Sequence, residues 1–324
     1  MQELPRGDAH RPMLVVSPIM SAPESHTGYL RNLVLARNAI DRASELRTDS
    51  AKLDELWEKA KIVIVSAEKL SATDSELIYF SAKEITGDGE RYFLGIDQET
   101  GESYFAFHVT SHNEEQLRTL RQVAADLTDR EAALAVHAIA LSNWHTSHPH
   151  CARCGAPTRS GIGGAVRICT VDESEHYPRT DPAVIVLIKD LDDRILLGHQ
   201  PVWPENRYST FAGFVEPGES FEQCVVREVA EESGVKVHTV KYLGSQPWPF
   251  PASIMVAFEA ITSKPSDAKP DGQEITDVKW FSREEFQASV LNGTLILPPR
   301  ISVARRMVEY WFGGEIESGE SWRP

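Results

Sequence analysis

One stretch governs what this chain can become: Gly213-Phe-Val-Glu-Pro-Gly-Glu219-Ser-Phe-Glu-Gln-Cys-Val-Val-Arg227-Glu228-Val229-Ala-Glu231-Glu232-Ser-Gly234-Val235. Gly213, Pro217 and Gly218 shape a loop at its start, and Gly234 suits the left-handed conformation that ends a helix. The spacing predicts a helix over 221–233. At about 3.6 residues per turn, Glu228, Glu231 and Glu232 stand at i, i+3 and i+4 on one face, leaving Cys224, Val225 and Val229 for the core. Like charges at that spacing cost a bare helix a few tenths of a kcal/mol per pair, so the patch needs strong solvation or a compensating cation. Hard divalent ions such as magnesium take oxygen ligands, keep several waters and bridge carboxylates to phosphates. A lone Glu-x-x-Glu-Glu reads as a solvated helix face; the residues around this one decide otherwise.

Spelled Gly-x5-Glu-x7-Arg-Glu-apolar-x-Glu-Glu-x-Gly-apolar, the stretch resembles the Nudix box at every defined position. The resemblance implies an α/β/α sandwich in which a loop-helix-loop carries the box, and hydrolysis of a nucleoside diphosphate linked to another moiety. It implies Mg2+ or Mn2+ held by Glu228 and Glu232, with Glu231 beside them and the backbone carbonyl of Ala212 as a further ligand. Arg227 and Glu219 are expected to hold the loop to the helix. The bound metal would lower the pKa of a water and neutralise developing charge, and a carboxylate would orient or deprotonate that water. Glu232, with Glu231 alongside, is the expected catalytic carboxylate.

Eleven residues after the box stand Ser245-Gln246-Pro247-Trp248-Pro249-Phe250-Pro251-Ala252-Ser253. Prolines at alternate positions fix φ, so Trp248 and Phe250 are held with little ordering cost and offer rigid faces to a heterocycle. Gln246 and Ser253 add neutral hydrogen-bonding groups suited to a base, ribose or amide edge. The plain alternative is a rigid strand connection with core aromatics. The array is similar to the one that marks the NADH pyrophosphatase branch of the Nudix family. That resemblance implies cleavage of NADH or NAD to nicotinamide mononucleotide and AMP by a homodimer, and extends to removal of NAD caps from RNA 5′ ends. It places Gln246, Pro247, Trp248, Pro249, Phe250, Pro251, Ala252 and Ser253 at the substrate. Phe214, Tyr177 and Ala304 are expected near the dinucleotide as well, each with core packing as the alternative. Glu274, six residues before Trp280 in a strand-like segment, is expected as one more metal ligand by the same resemblance.

Cys151-x2-Cys154 followed by Cys169 has zinc-ribbon spacing, and the same branch carries such a module before its hydrolase domain. The fourth cysteine is absent: its position falls on Asp172, with Glu173 and His176 as nearby substitutes. Three thiolates and one of these would close a Zn2+ site; a ribbon held by packing without metal is the alternative. Four cysteines in 324 residues make no disulfide framework, and Cys224 reads as a small core residue.

Residues 1–27 read as a loosely held leading segment, 28–147 as a small mixed α/β amino-terminal domain, 148–178 as the ribbon, 179–313 as the hydrolase domain and 314–324 as a tail. Within the first domain, apolar runs at 62–65, 92–96 and 104–109 suggest strands, and Thr128 with Glu131 forms a capping box for a helix running toward Trp144. A net charge of −15 repels polyanions and disfavours tight RNA binding, without barring a short 5′ end from the site. No basic start with an apolar run follows Met1, and the apolar run at 183–188 is too short to span a bilayer, so a cytoplasmic protein with no membrane partner is expected. A non-catalytic nucleotide sensor is the remaining reading; no box glutamate is missing to support it.

Overall fold

The computed structural model describes residues 30–316; the expected leading segment 1–27 and the tail beyond residue 316 lie outside the described residues. The apolar runs of the amino-terminal part form the strands Lys61–Ser66, Glu90–Ile96 and Ser103–His108. Lys61–Ser66 runs parallel to Ser103–His108 and is buried over five of its six residues, which explains its unbroken apolar sequence. Helix Asp129–Ser147 starts at the expected capping box, with Thr128 Oγ1 accepting from Glu131 N at 3.3 Å and the Glu131 carboxylate accepting from Thr128 N at 3.2 Å. Its Ala132, Ala135, Ala138 and Ile139 share a core with Val63, Tyr92 and Tyr104 of the sheet.

The ribbon is a three-stranded antiparallel sheet, Thr158–Gly161, Val166–Cys169 and Glu175–His176. Buried Arg167 ties it to the amino-terminal domain: Nη1 lies 2.7 Å from His145 Nδ1 on the long helix, while Nη2 donates within the ribbon to Thr158 O at 2.8 Å.

The third part is the expected α/β/α sandwich. Its sheet runs in the order Thr239–Trp248, Ser253–Ile261, Asp181–Lys189, Ile195–His199, Asp277–Phe281, with Phe211–Phe214 added on Asp181–Lys189. The period-two alternation of the central strand feeds both layers. Val184, Val186 and Ile188 pack with Cys224, Val225 and Val229 of the box helix, while Ile185 and Leu187 pack with Phe286, Met307, Val308 and Trp311. The box helix spans Phe221–Ser233, as the spacing predicts. Gln223 N donates to Ser220 Oγ at 3.2 Å at its start, and Gly234 ends it at φ 70°.

Thr239–Trp248 is an edge strand, the position in a sheet that tolerates a proline such as Pro247. The chain at 30–35 lies over this edge: Leu30 N donates to Leu243 O at 2.7 Å and Leu35 N to Gln246 Oε1 at 3.3 Å. No helix among the described residues is long and apolar enough to cross a membrane.

Candidate active site

The box helix presents its glutamates as the periodicity requires, but in three different environments. Glu232 is 4% exposed and accepts a hydrogen bond from Ala212 N at 3.3 Å. Burial, and then the charges of Glu274 and Glu228, push its carboxyl up to about 8. Burial raises Glu228 as well, against the opposing pull of Arg227. Glu231 stands outward, its side chain 60% exposed.

Arg227 organises the loop. Its Nε and Nη2 reach the two oxygens of Glu219 at 2.8 Å each, Nη2 donates to Phe214 O at 3.0 Å, and Nη1 meets Glu228 at 2.7 Å and Glu231 at 3.1 Å. The fork-to-carboxylate geometry holds Glu219 down to about 2. Arg227 and Glu219 are thus joined as expected. Gly213 leaves room for Glu228: a Cβ there would land inside the Glu228 carboxylate and displace it.

Glu274 is exposed, in the turn that leads into Asp277–Phe281 rather than within a strand. Asp271 shapes that turn, accepting from Glu274 N at 3.2 Å and Ile275 N at 2.7 Å, and Gln200 Nε2 donates to Glu274 Oε1 at 3.4 Å. Burial and neighbouring carboxylates raise Glu228 and Glu232, and their oxygens are of the kind a hard divalent cation takes; such an ion would favour their ionised forms.

Beside Glu232 opens a cleft of about 240 Å³ that brings together Ala212, Glu232, Trp248 and Ala304, four of the residues expected at the site. Sequence reasoning missed Gln200 and Trp203, which also line it and carry no periodic or motif signal. It missed Arg121 too, a lone arginine on the short helix Leu120–Val123. Its guanidinium lies 3.9 Å from the Phe250 ring centroid and 5.0 Å from that of Trp248, and the two rings meet edge-on at 4.9 Å.

The rest of the array is divided between a strand and a turn. Its first part ends the edge strand and its remainder forms the hairpin turn, with Trp248 paired to Ser253. Pro247, Pro249, Ala252 and Ser253 line another cavity, and Pro251 is exposed. Gln246 is fully buried: Oε1 accepts from Leu35 N and Nε2 donates to Ile301 O at 3.0 Å, so its amide is turned to the backbone and not to the cleft where the resemblance puts it. Phe214 and Tyr177 are 60% and 68% exposed and lie outside the cleft.

In the ribbon, Cys151, Cys154, Cys169 and Asp172 bring one ligand atom each within 4.8 Å of one another; among the described residues no other group of three or more metal-binding side chains converges so closely. Backbone N–H groups point at the sulfurs, Arg153 N to Cys151 at 3.3 Å and Val171 N to Cys169 at 3.4 Å, as thiolate ligands require. The hydrogen bond from Ser174, and then that from Cys169, hold Asp172 down to about 2. His176 Nε2 stands 3.2 Å from Cys151 Sγ, beside the set, whereas Glu173 sits exposed at φ 54°.

Family models match in the same three places: a NADH pyrophosphatase-like rudimentary NUDIX domain over 54–144, a NADH pyrophosphatase zinc ribbon domain over 146–177 and a NUDIX domain over 179–298. The chain is 37% identical to the NAD-capped RNA hydrolase NudC of Mycobacterium bovis over 295 residues, 86% of this chain and 94% of that one. It is 36% identical to the NudC of Mycobacterium tuberculosis over the same shares, and 33% identical to the human NAD-capped RNA hydrolase NUDT12 over 68% of this chain and 49% of that one. With its box, ribbon and rudimentary first domain matched in order, the chain belongs to the Nudix hydrolase family, in its NADH pyrophosphatase branch.

Proposed function

We propose that this chain is a divalent-metal-dependent NAD(H) diphosphatase, acting as a cytoplasmic homodimer, that splits NADH or NAD into nicotinamide mononucleotide and AMP. The observation that carries the reading is the cleft in which a buried carboxyl, Glu232, and an aromatic face, Trp248, stand together. Glu228, Glu232 and Glu274, with the Ala212 carbonyl and Glu231 beside them, are the residues to hold Mg2+ or Mn2+. When bound, such an ion polarises a phosphoryl oxygen and lowers the pKa of a water. Glu232 is the residue to orient a water and take its proton as the water oxygen attacks one phosphorus; the bond from that phosphorus to the bridging oxygen breaks, and the bridging oxygen leaves with the other mononucleotide. Trp248 stacks on a heterocycle, with Arg121 backing the ring. Arg227 keeps the loop and Glu228 in place through Glu219.

Removal of an NAD cap from RNA breaks the same bond with a larger leaving group, and the names of the NudC and NUDT12 relatives favour this second reading. Product analysis with NADH, NAD-capped RNA and ADP-ribose in competition at physiological salt ranks the substrates. Glu232→Gln removes the proton acceptor and is expected to lower kcat for AMP release from NADH by at least 10²-fold on the scale of general-base loss, with an unchanged melting curve. Full activity in that variant refutes the role given to Glu232.

The ribbon is proposed to hold one Zn2+ on Cys151, Cys154, Cys169 and Asp172, and exposed Tyr177 and Phe214 support pairing of two chains. Metal analysis and light scattering on one preparation made without chelator test both: stoichiometric zinc and a dimer are expected. Absence of zinc removes the site, and a monomer removes the pairing.

A further inference from the structure

A second cavity, of about 420 Å³, lies behind the proline-rich segment and shares no lining residue with the cleft of Glu232. Alternation along the edge strand explains the division, since Trp248 faces one space while Pro247 and Pro249 face the other. The opposite wall belongs to the amino-terminal domain, which contributes Arg42, Arg47, Phe93, Val136 and His137.

The charge of this wall runs against that of the molecule. The chain carries −15, yet among the described residues no Asp or Glu lines the cavity, and Arg42, Arg47 and Arg179 do. Arg179 is paired with Asp181 at 2.5 Å. Among the described residues Arg42 and Arg47 have no carboxylate at ion-pair distance; Glu45 acts on Arg47 only from farther away. Arg47 Nη2 donates to Arg42 O at 3.2 Å, and its buried Nε has no hydrogen-bond partner among the described residues. His137 is pushed down to about 3 by burial and then by these two arginines, so it is a neutral imidazole at pH 7.

Two guanidinium groups facing one cavity without a counter-charge repel each other, and an anion between them removes that repulsion. The planar fork of arginine matches phosphate oxygens, and its charge persists at any physiological pH. The volume falls in the range of small-molecule sites, roughly 300–1,000 Å³, and Phe93, Val136 and Ile254 give an apolar body something to pack on.

The geometry points to a second, non-catalytic site between the amino-terminal domain and the hydrolase domain that binds a phosphate monoester of mononucleotide size, its phosphate on Arg42 and Arg47. The site is independent of the hydrolytic reaction. Its wall is the other face of the segment that carries Trp248.

Calorimetric titration of the full chain with AMP, in magnesium-free buffer at physiological salt, tests the assignment. AMP is expected to bind wild type and Trp248→Ala alike, to bind Arg42→Gln/Arg47→Gln at least tenfold more weakly, and adenosine is expected not to bind. Arg42 is exposed, so Arg42→Gln alone keeps the fold and must still weaken AMP measurably, which covers the case of a double variant that does not fold. Unchanged AMP affinity in the arginine variants, loss of AMP binding in Trp248→Ala, or equal binding of adenosine overturns the proposal.

Discussion

Gly213 and Gln246 mark the two ends of what single residues disclose. The carboxylates of the box follow from helical periodicity alone, because i, i+3 and i+4 share a face whatever surrounds them. Gly213 belongs to the same local pattern, and its reason is steric, since any side chain there enters the Glu228 carboxylate. Gly213→Ala is therefore expected to displace Glu228 and to cost about 10–100-fold in activity or metal affinity, the range seen when a residue supporting a ligand is altered. Magnesium-dependence curves of AMP release read this directly, and an unchanged curve contradicts it. Gln246 could not be read in this way. Its partners Leu35 and Ile301 are 211 and 55 residues away, and a polar residue in a substrate-like array gives no local sign that its amide is buried.

Elements were legible where their ends carry chemistry of their own. The box helix has a capping box at one end and a left-handed glycine at the other, and the long helix of the first domain opens on Thr128 and Glu131. The proline-rich array carries turn signals throughout, so its first half reads as loop; an edge strand accepts proline because the missing N–H faces away from the ladder, and strand it became. Gln246 is what fastens that edge to the rest of the molecule. Replacement by Leu keeps the volume but leaves Leu35 N–H and Ile301 C=O unpaired in a buried place, at a cost of about 1–3 kcal/mol. Denaturant unfolding should show that loss while KM for NADH stays within about twofold, the error of such comparisons being a few tenths of a kcal/mol. A raised KM without loss of stability would return Gln246 to the substrate.

Across the whole molecule the three parts are joined by contacts that no single segment announces. One junction is a buried cluster in which Arg167 of the ribbon, His145 of the long helix and Glu90 of the first sheet meet, with Glu90 3.3 Å from His145 Nδ1 and 3.5 Å from Arg167 Nη1. Tyr92 stacks on His145 at 4.4 Å between centroids and donates its hydroxyl proton to Glu90 at 3.0 Å. Contact with His145, the Tyr92 hydroxyl and the charge of Arg167 hold the Glu90 carboxyl down to about 2 against the opposing effect of burial. A folded-state value below the unfolded one means that the unfolded chain takes up this proton first as pH falls. The contribution is therefore complete above the ordinary carboxylate value of 4.5 and is lost as pH drops from there toward 2. With the Glu90 side chain 38% exposed, solvent screening reduces its worth to about 1 kcal/mol. Glu90→Gln cannot titrate, so it is expected to be less stable than the parent chain by about that amount near neutrality and to converge on it in acid. Melting temperatures of the two proteins, followed from neutral pH downward, should draw together across this window; curves that stay parallel would show that the junction holds without the charge of Glu90.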